Sequence, residues 1–168
     1  MPSHPHEEAA SRFEFLLMGL ARQMKVTRQI FCLGATRIDA LEVGYSQTAE
    51  KFQRDIAWWL RASKGQMRMG ITIDIKRGSG NIEIKSWVPT MSFPQNASTA
   101  PQVTQRILMK KGGNGQKPTI QGGDLIIPFQ SLLLIEPREG EGDFVIAQDM
   151  LLYEFAELIW AAIEEGNA

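Results

Sequence analysis

Met67, Met69, Ile71, Ile73 and Ile75 alternate with Arg68, Gly70, Thr72, Asp74 and Lys76. The tetrapeptide Gly78-Ser79-Gly80-Asn81 and a second apolar run from Ile82 to Val88 follow at once. A period of two sends successive side chains to opposite faces of a strand, so the first run predicts one buried and one wet face. The tetrapeptide predicts a turn, and the second run a partner strand. Residues 67–88 therefore commit the chain to an antiparallel hairpin. With the turn at Gly78–Asn81, Lys76 faces Glu83 and Asp74 faces Lys85, and Ile73 and Ile75 point inward. Opposite charges then pair across the wet face, which stabilises a hairpin modestly.

Helical periods flank this hairpin. Phe13, Leu16, Leu17, Leu20 and Met24 recur at three- and four-residue steps, predicting a first helix over 7–24. Phe15 and Met18 widen its apolar face beyond one stripe, which fits either a deeply packed helix or a second face meeting another copy; the expectation taken from the second is a homo-oligomer, a homodimer in the simplest case. Arg28–Leu33 and Ile38–Tyr45 read as strands, and Ser46 as the cap of a helix ending near Ser63 and Gly65. Ala49, Phe52, Ile56, Trp59 and Leu60 form the core stripe of that helix. Val103–Met109, Leu125–Ile127 and Phe144–Ile146 read as strands, Lys110–Gly123 as a basic glycine-rich loop, and Leu132–Ile135 as either strand or helix. A last helix spans 148–164. Residues 1–6 read as a disordered tail, and 7–165 as one domain. Helices alternating with a mixed sheet make the fold class α/β, or α+β with a mixed sheet.

Composition narrows the function classes. The chain has 168 residues, 43% of them apolar, too many for a disordered chain. No window holds the roughly 20 apolar residues of a membrane span. Cys32 is the only cysteine, so no disulfide forms within the chain. With no apolar leader at the start, the expected setting is the cytoplasm or nucleus. The net charge is −1, so any contact with nucleic acid has to come from a local patch.

Most chemistry-like motifs fail on inspection. Gly112–Lys117 lacks the Lys-Ser/Thr ending and following helix of a phosphate loop. His4 and His6 have no further ligands nearby for a metal. Two tripeptides, Asp74-Ile75-Lys76 and Glu83-Ile84-Lys85, match the acidic-x-lysine spacing by which a metal-dependent nuclease puts a carboxylate and an ammonium on one strand face. The pairing across the hairpin favours a solvated ionic face for both. On the helix after Glu42, Lys51, Arg54, Trp58 and Arg61 share a second face, suited to charge and stacking contacts with nucleic acid and equally to plain solvation.

Glu42-Val43-Gly44-Tyr45-Ser46-Gln47 ends a strand and opens that helix. The alternating strand with Ile73-Asp74-Ile75 and the strand Ile84–Trp87 follow. This arrangement resembles a group of uncharacterised fungal proteins related to the PD-(D/E)xK restriction-endonuclease-like superfamily, over roughly residues 38–165. The resemblance implies a restriction-endonuclease-like core, with nucleic-acid binding or metal-dependent phosphodiester hydrolysis as the inherited activity. It implies Mg²⁺ as cofactor, Glu42 and Glu14 as metal ligands, and Glu42, Lys51 and Asp74 as the catalytic set. Gly44 stands where the motif carries its lysine, so Lys51 or Arg54 would substitute. Between residues 25 and 37 there is no acidic residue where the superfamily places an Asp, which makes the chain a non-standard member. Tyr45, Arg54, Trp58, Arg61 and Trp87 are the expected nucleic-acid or ligand contacts.

Two other functions compete with this one. In one, the fold serves a small-molecule enzyme or binding protein, with Glu42, Tyr45, Asp74 and Trp87 lining an apolar pocket and Glu42 as acid or base. Alternatively, the chain is a homodimeric interaction module using its first helix.

Overall fold

The computed structural model describes residues 4–32, 41–45, 48–63, 67–90, 100–113 and 115–166. Helix α1 (His4–Gln23) begins at His4 rather than Glu7, with Pro5 in its first turn, where a missing N–H costs nothing. Phe13, Leu16, Leu17 and Ala21 are buried, as their spacing requires. The helix ends in a Schellman motif. Val26 N–H donates to the Ala21 carbonyl at 2.9 Å, and Lys25 N–H to that of Arg22 at 3.1 Å. Lys25 takes the left-handed position at φ 59°. This turn feeds directly into α2 (Thr27–Cys32), so the strand expected at Arg28–Leu33 is a helix as far as Cys32, Leu33 lying outside the described residues. Its Ile30 and the preceding Val26 are buried in the main core.

Strand β1 (Leu41–Tyr45), helix α3 (Ala49–Ala62) and strand β2 (Gly70–Ile75) form a parallel crossover unit. Thr48 caps α3, its hydroxyl accepting from Lys51 N–H at 3.3 Å. The expected cap Ser46 and stop Gly65 lie outside the described residues. Phe52, Ile56 and Leu60 are buried as the stripe predicts, while Ala49, in the first turn, is exposed.

Strand β2 pairs antiparallel with β3 (Ile82–Val88), β3 with β4 (Gln102–Lys110), and β4 with β5 (Thr119–Gln121). The mixed sheet has the order β1-β2-β3-β4-β5. Strand β5 falls inside the stretch expected to be loop. Gly122 follows it at φ 111°, where a Cβ would sit 2.1 Å from the Arg106 carbonyl oxygen, so only glycine lets the chain turn there.

A second, two-stranded sheet joins β6 (Leu125–Ile127) and β7 (Phe144–Ile146), with α4 (Phe129–Leu133) between them in sequence. A π-helical stretch, Met150–Ala156, continues into α5 (Glu157–Glu165). The Gln105 side chain of β4 binds β6 as a peptide group would. Its amide donates to the Ile126 carbonyl at 2.6 Å, and its oxygen accepts from Ile126 N–H at 2.9 Å.

The fold is α/β, with helices on both faces of the main sheet. On one face, Val43, Ile71, Ile73, Ile75, Ile82, Ile84, Ile107 and Met109 form one core with α1, α5 and the small sheet. On the other, Ile56 and Leu60 of α3 pack on Trp87. That second cover overturns the expected wet face. All six residues of β2 are buried, because the crossover helix returns across them and β1 and β3 flank them.

The hairpin is correct in its faces and two residues off in its pairing. Ile75 faces Ile82, Asp74 faces Glu83, and Thr72 faces Lys85. The loop is Arg77–Gly80 rather than Gly78–Asn81. Lys76 N–H donates to the Asn81 carbonyl at 2.8 Å, and Gly80, at φ 69°, closes the turn. Moving a loop by one residue moves every cross-strand partner by two, which keeps the faces and exchanges the charges.

Candidate functional site

The face of the sheet under α3 carries the polar residues of interest. Pairing puts Glu42 of β1 beside Thr72, Gly44 beside Asp74, and Asp74 beside Glu83. Lys85 pairs with Arg106 of β4, so Glu42, Thr72, Asp74, Glu83, Lys85, Trp87 and Arg106 share this face.

Asp74 and Glu83 are the unusual pair. They are 5% and 9% exposed and lie directly opposite each other on adjacent antiparallel strands. Like charges so placed destabilise a sheet unless cations answer them. Here the cations come along the strands. Lys76 Nζ lies 2.5 Å from Asp74 Oδ2, and Lys85 Nζ lies 2.7 Å from Glu83 Oε2. The Arg106 guanidinium donates to Glu83 Oε1. Burial alone would raise the Glu83 carboxyl. Hydrogen bonds from Lys85 and Arg106, with their charges, outweigh that and hold it below the ordinary value of 4.5. Asp74 Oδ1 is buried and, among the described residues, finds no hydrogen-bond partner. Its strand neighbour Gly44 has no side chain to offer it.

Glu42 lies further along the same face, half-buried, and accepts from the Trp59 indole N–H at 2.8 Å. Trp59, assigned to the core stripe by its spacing, is thus the residue that fixes this carboxylate. Lys51 sits in the first turn of α3, 3.4 Å from Asp55. Trp87 does not line an open pocket: it is 6% exposed and donates to Thr72 Oγ1 at 2.9 Å. Tyr45 belongs to the opposite face, because it pairs with Ile75, and the Arg77 guanidinium stands 4.9 Å from its ring centroid. Glu14 is exposed on α1, the helix packed against that opposite face, so the expected Glu14–Glu42 metal pair does not form. Arg54, Trp58 and Arg61 are all exposed on α3.

No protein-family model matches the chain, and no curated protein or solved structure is significantly similar to it. The site therefore has to be read from its own chemistry. Among the described residues, no three His, Cys, Asp or Glu side chains gather as a metal-binding group. Two carboxylates still suit Mg²⁺, which keeps several waters and commonly takes one or two protein carboxylates. The unpartnered Asp74 oxygen is a hard donor of the required kind. Neither of two surface clefts, of 310 Å³ beside α5 and 290 Å³ beside α3, includes Glu42, Tyr45, Asp74 or Trp87. Among the described residues no helix is long and apolar enough to cross a membrane.

The combination Asp74 opposite Glu83-x-Lys85 was visible in the sequence as two acidic-x-lysine tripeptides. The misplaced turn paired each carboxylate with a lysine across the strands and so concealed that the carboxylates face each other. Arg106 carried no sequence signal, since its role depends on the β3–β4 register.

Proposed function

We propose that this chain is a non-standard restriction-endonuclease-like protein whose Asp74/Glu83-Ile84-Lys85 face cleaves phosphodiesters. The observation that carries this reading is the buried, directly opposed carboxylate pair with an unpartnered oxygen on Asp74. A sheet held together only for stability would gain by replacing one of those carboxylates with an apolar or neutral residue. Asp74 and Glu83 would hold Mg²⁺, which supplies Lewis-acid polarisation of a phosphoryl oxygen and a more acidic water when bound. Lys85 and Arg106 donate to a phosphate's free oxygens from the same face, and Lys76 pairs with Asp74 Oδ2. Glu42, fixed by Trp59, orients the edge of the site from β1.

The test is cleavage of single-stranded and duplex DNA and RNA with and without Mg²⁺. Asp74→Asn, Glu83→Gln and Lys85→Met should each lower the rate by ~100-fold or more, the scale of a lost electrostatic group in an active site. A folded, unaltered chain that cleaves none of these substrates in Mg²⁺ or Mn²⁺ overturns the reading.

Assembly is part of the proposal. Phe15 is 61% exposed on a helix whose other face is fully packed, and Met18 beside it is half-buried. We read this strip of α1 as a contact between two copies of the chain.

A further inference from the structure

Of the four tryptophans, three are anchored. The indole N–H groups of Trp59, Trp87 and Trp160 donate to Glu42, Thr72 and the Gly80 carbonyl. Trp58 is 58% exposed. A large aromatic left so open on an amphipathic helix loses the free energy of burying its ring, about the largest available to any side chain. Trp58 is nonetheless held in place. It stands edge-to-face on Trp59, with ring centroids 4.7 Å apart and planes at 79°. Trp59 is itself pinned by the Glu42 carboxylate. The ring is therefore a rigid platform, and little freedom remains to be lost when something stacks on it.

Its surroundings select what stacks. Arg54 and Arg61, both exposed, lie four residues before and three after Trp58 and so are its neighbours on the helix surface. A 290 Å³ cleft beside α3 is lined by both arginines together with Glu50, Gln53, Ala57 and Pro101. An aromatic platform with cations along a polar groove suits a flat base joined to a phosphate backbone. A lipid surface needs a broader apolar patch, and here Gln53 and the two arginines interrupt it. Duplex nucleic acid keeps its base faces covered and offers this ring nothing beyond its ends.

We infer that the outer face of α3 binds single-stranded nucleic acid by stacking a base on Trp58 between Arg54 and Arg61. The inference rests on the cleavage reading for its link to a substrate, and it makes that substrate single-stranded. α3 covers the sheet face that holds Glu42 and Asp74, so a strand on α3 lies on the side of the molecule where the carboxylates are.

Binding is measured in EDTA, where cleavage plays no part. Tryptophan fluorescence should be quenched saturably by oligothymidylate of about 12 nucleotides, within the usual site size for one such surface. A duplex of equal length should quench far less. Trp58→Ala should weaken binding by ~10-fold or more, the scale of one lost base stack, and Trp58→Phe should recover part of it. Arg54→Ala should weaken binding and reduce its dependence on salt. Oligothymidylate binding unchanged in a folded Trp58→Ala variant overturns the inference. So does equal quenching by duplex, or quenching by anionic vesicles and not by oligonucleotide. Asp74→Asn should keep the binding. If Trp58 proves necessary for binding while no cleavage is found, the stacking surface stands and the cleavage reading falls.

Discussion

Asp74→Asn should make the protein more stable and inactive at once. Carboxylates on directly opposed strand residues stand about 5 Å apart at Cβ. At an effective dielectric of about 20 that separation gives a repulsion of roughly 3 kcal/mol. The lysine and arginine on Glu83 screen it, and the variant also loses the Lys76 contact, which is half-exposed and worth at most ~1 kcal/mol. The net gain should be about 1 kcal/mol, or a rise in Tm of roughly 2–4 °C for a chain of this length. Thermal and urea unfolding at neutral pH read it directly. Mg²⁺ supplies the second arm of the assay. At about ten times its Kd, a ligand that binds only the native state stabilises it by roughly 1.4 kcal/mol. The unaltered protein should show that shift and the Asn variant should not. An Asn variant less stable than its parent by more than ~1 kcal/mol, with a parent indifferent to Mg²⁺, would show that Asp74 belongs to a structural ion lattice and would refute the argument.

Three further outcomes follow from the same geometry. Glu83 has its carboxyl lowered in the folded state, so its contribution to stability is present above the unfolded value and disappears as pH falls through the folded one, below 4.5; urea midpoints between pH 6 and 3, at about one-unit steps, should fall more steeply for the unaltered chain than for Glu83→Gln. Trp87→Phe and Thr72→Val each strand a buried polar group and should each cost about 1–3 kcal/mol, while the double variant should cost less than their sum in a denaturation cycle. Phe15→Glu places a charge in the proposed contact between copies, and sedimentation velocity should show a smaller species than the unaltered chain gives; a monomer in both would remove that contact.

Much of the fold was legible because it depends on local period. The alternation at Met67–Lys76 became a strand over its central part, Gly70–Ile75, and the stripe through Phe52, Ile56 and Leu60 and the apolar face of α1 became the expected helices. What failed depends on terms outside the segment. Arg28–Leu33 is too short for a helical period to declare itself, and the turn before it puts Lys25, not glycine, in the left-handed position. The burial of Asp74 and Glu83 depends on where α3 lies, and their opposition on which of two glycines closes the hairpin. Gly78 and Gly80 both stand in the loop, but only Gly80 has the positive φ. Tyr45 was grouped with Glu42 by nearness in sequence, yet three residues along a strand is an odd step and sends the two side chains to opposite faces.

The Gln105 amide has a consequence for how this protein keeps to itself in a crowded solution. Ile126 and Val145 face solvent on the small sheet, in short strands of apolar, β-prone sequence. Such an edge is a template on which another chain can add a strand. The Ile126 N–H and carbonyl that an incoming strand would use are already taken by a side chain that ends after a single amide. Growth stops there because the mimic has no next residue to offer. Replacing Gln105 by leucine would leave the fold's packing nearly the same size and expose that edge, and the damage should appear first as turbidity on storage, before any loss in unfolding temperature.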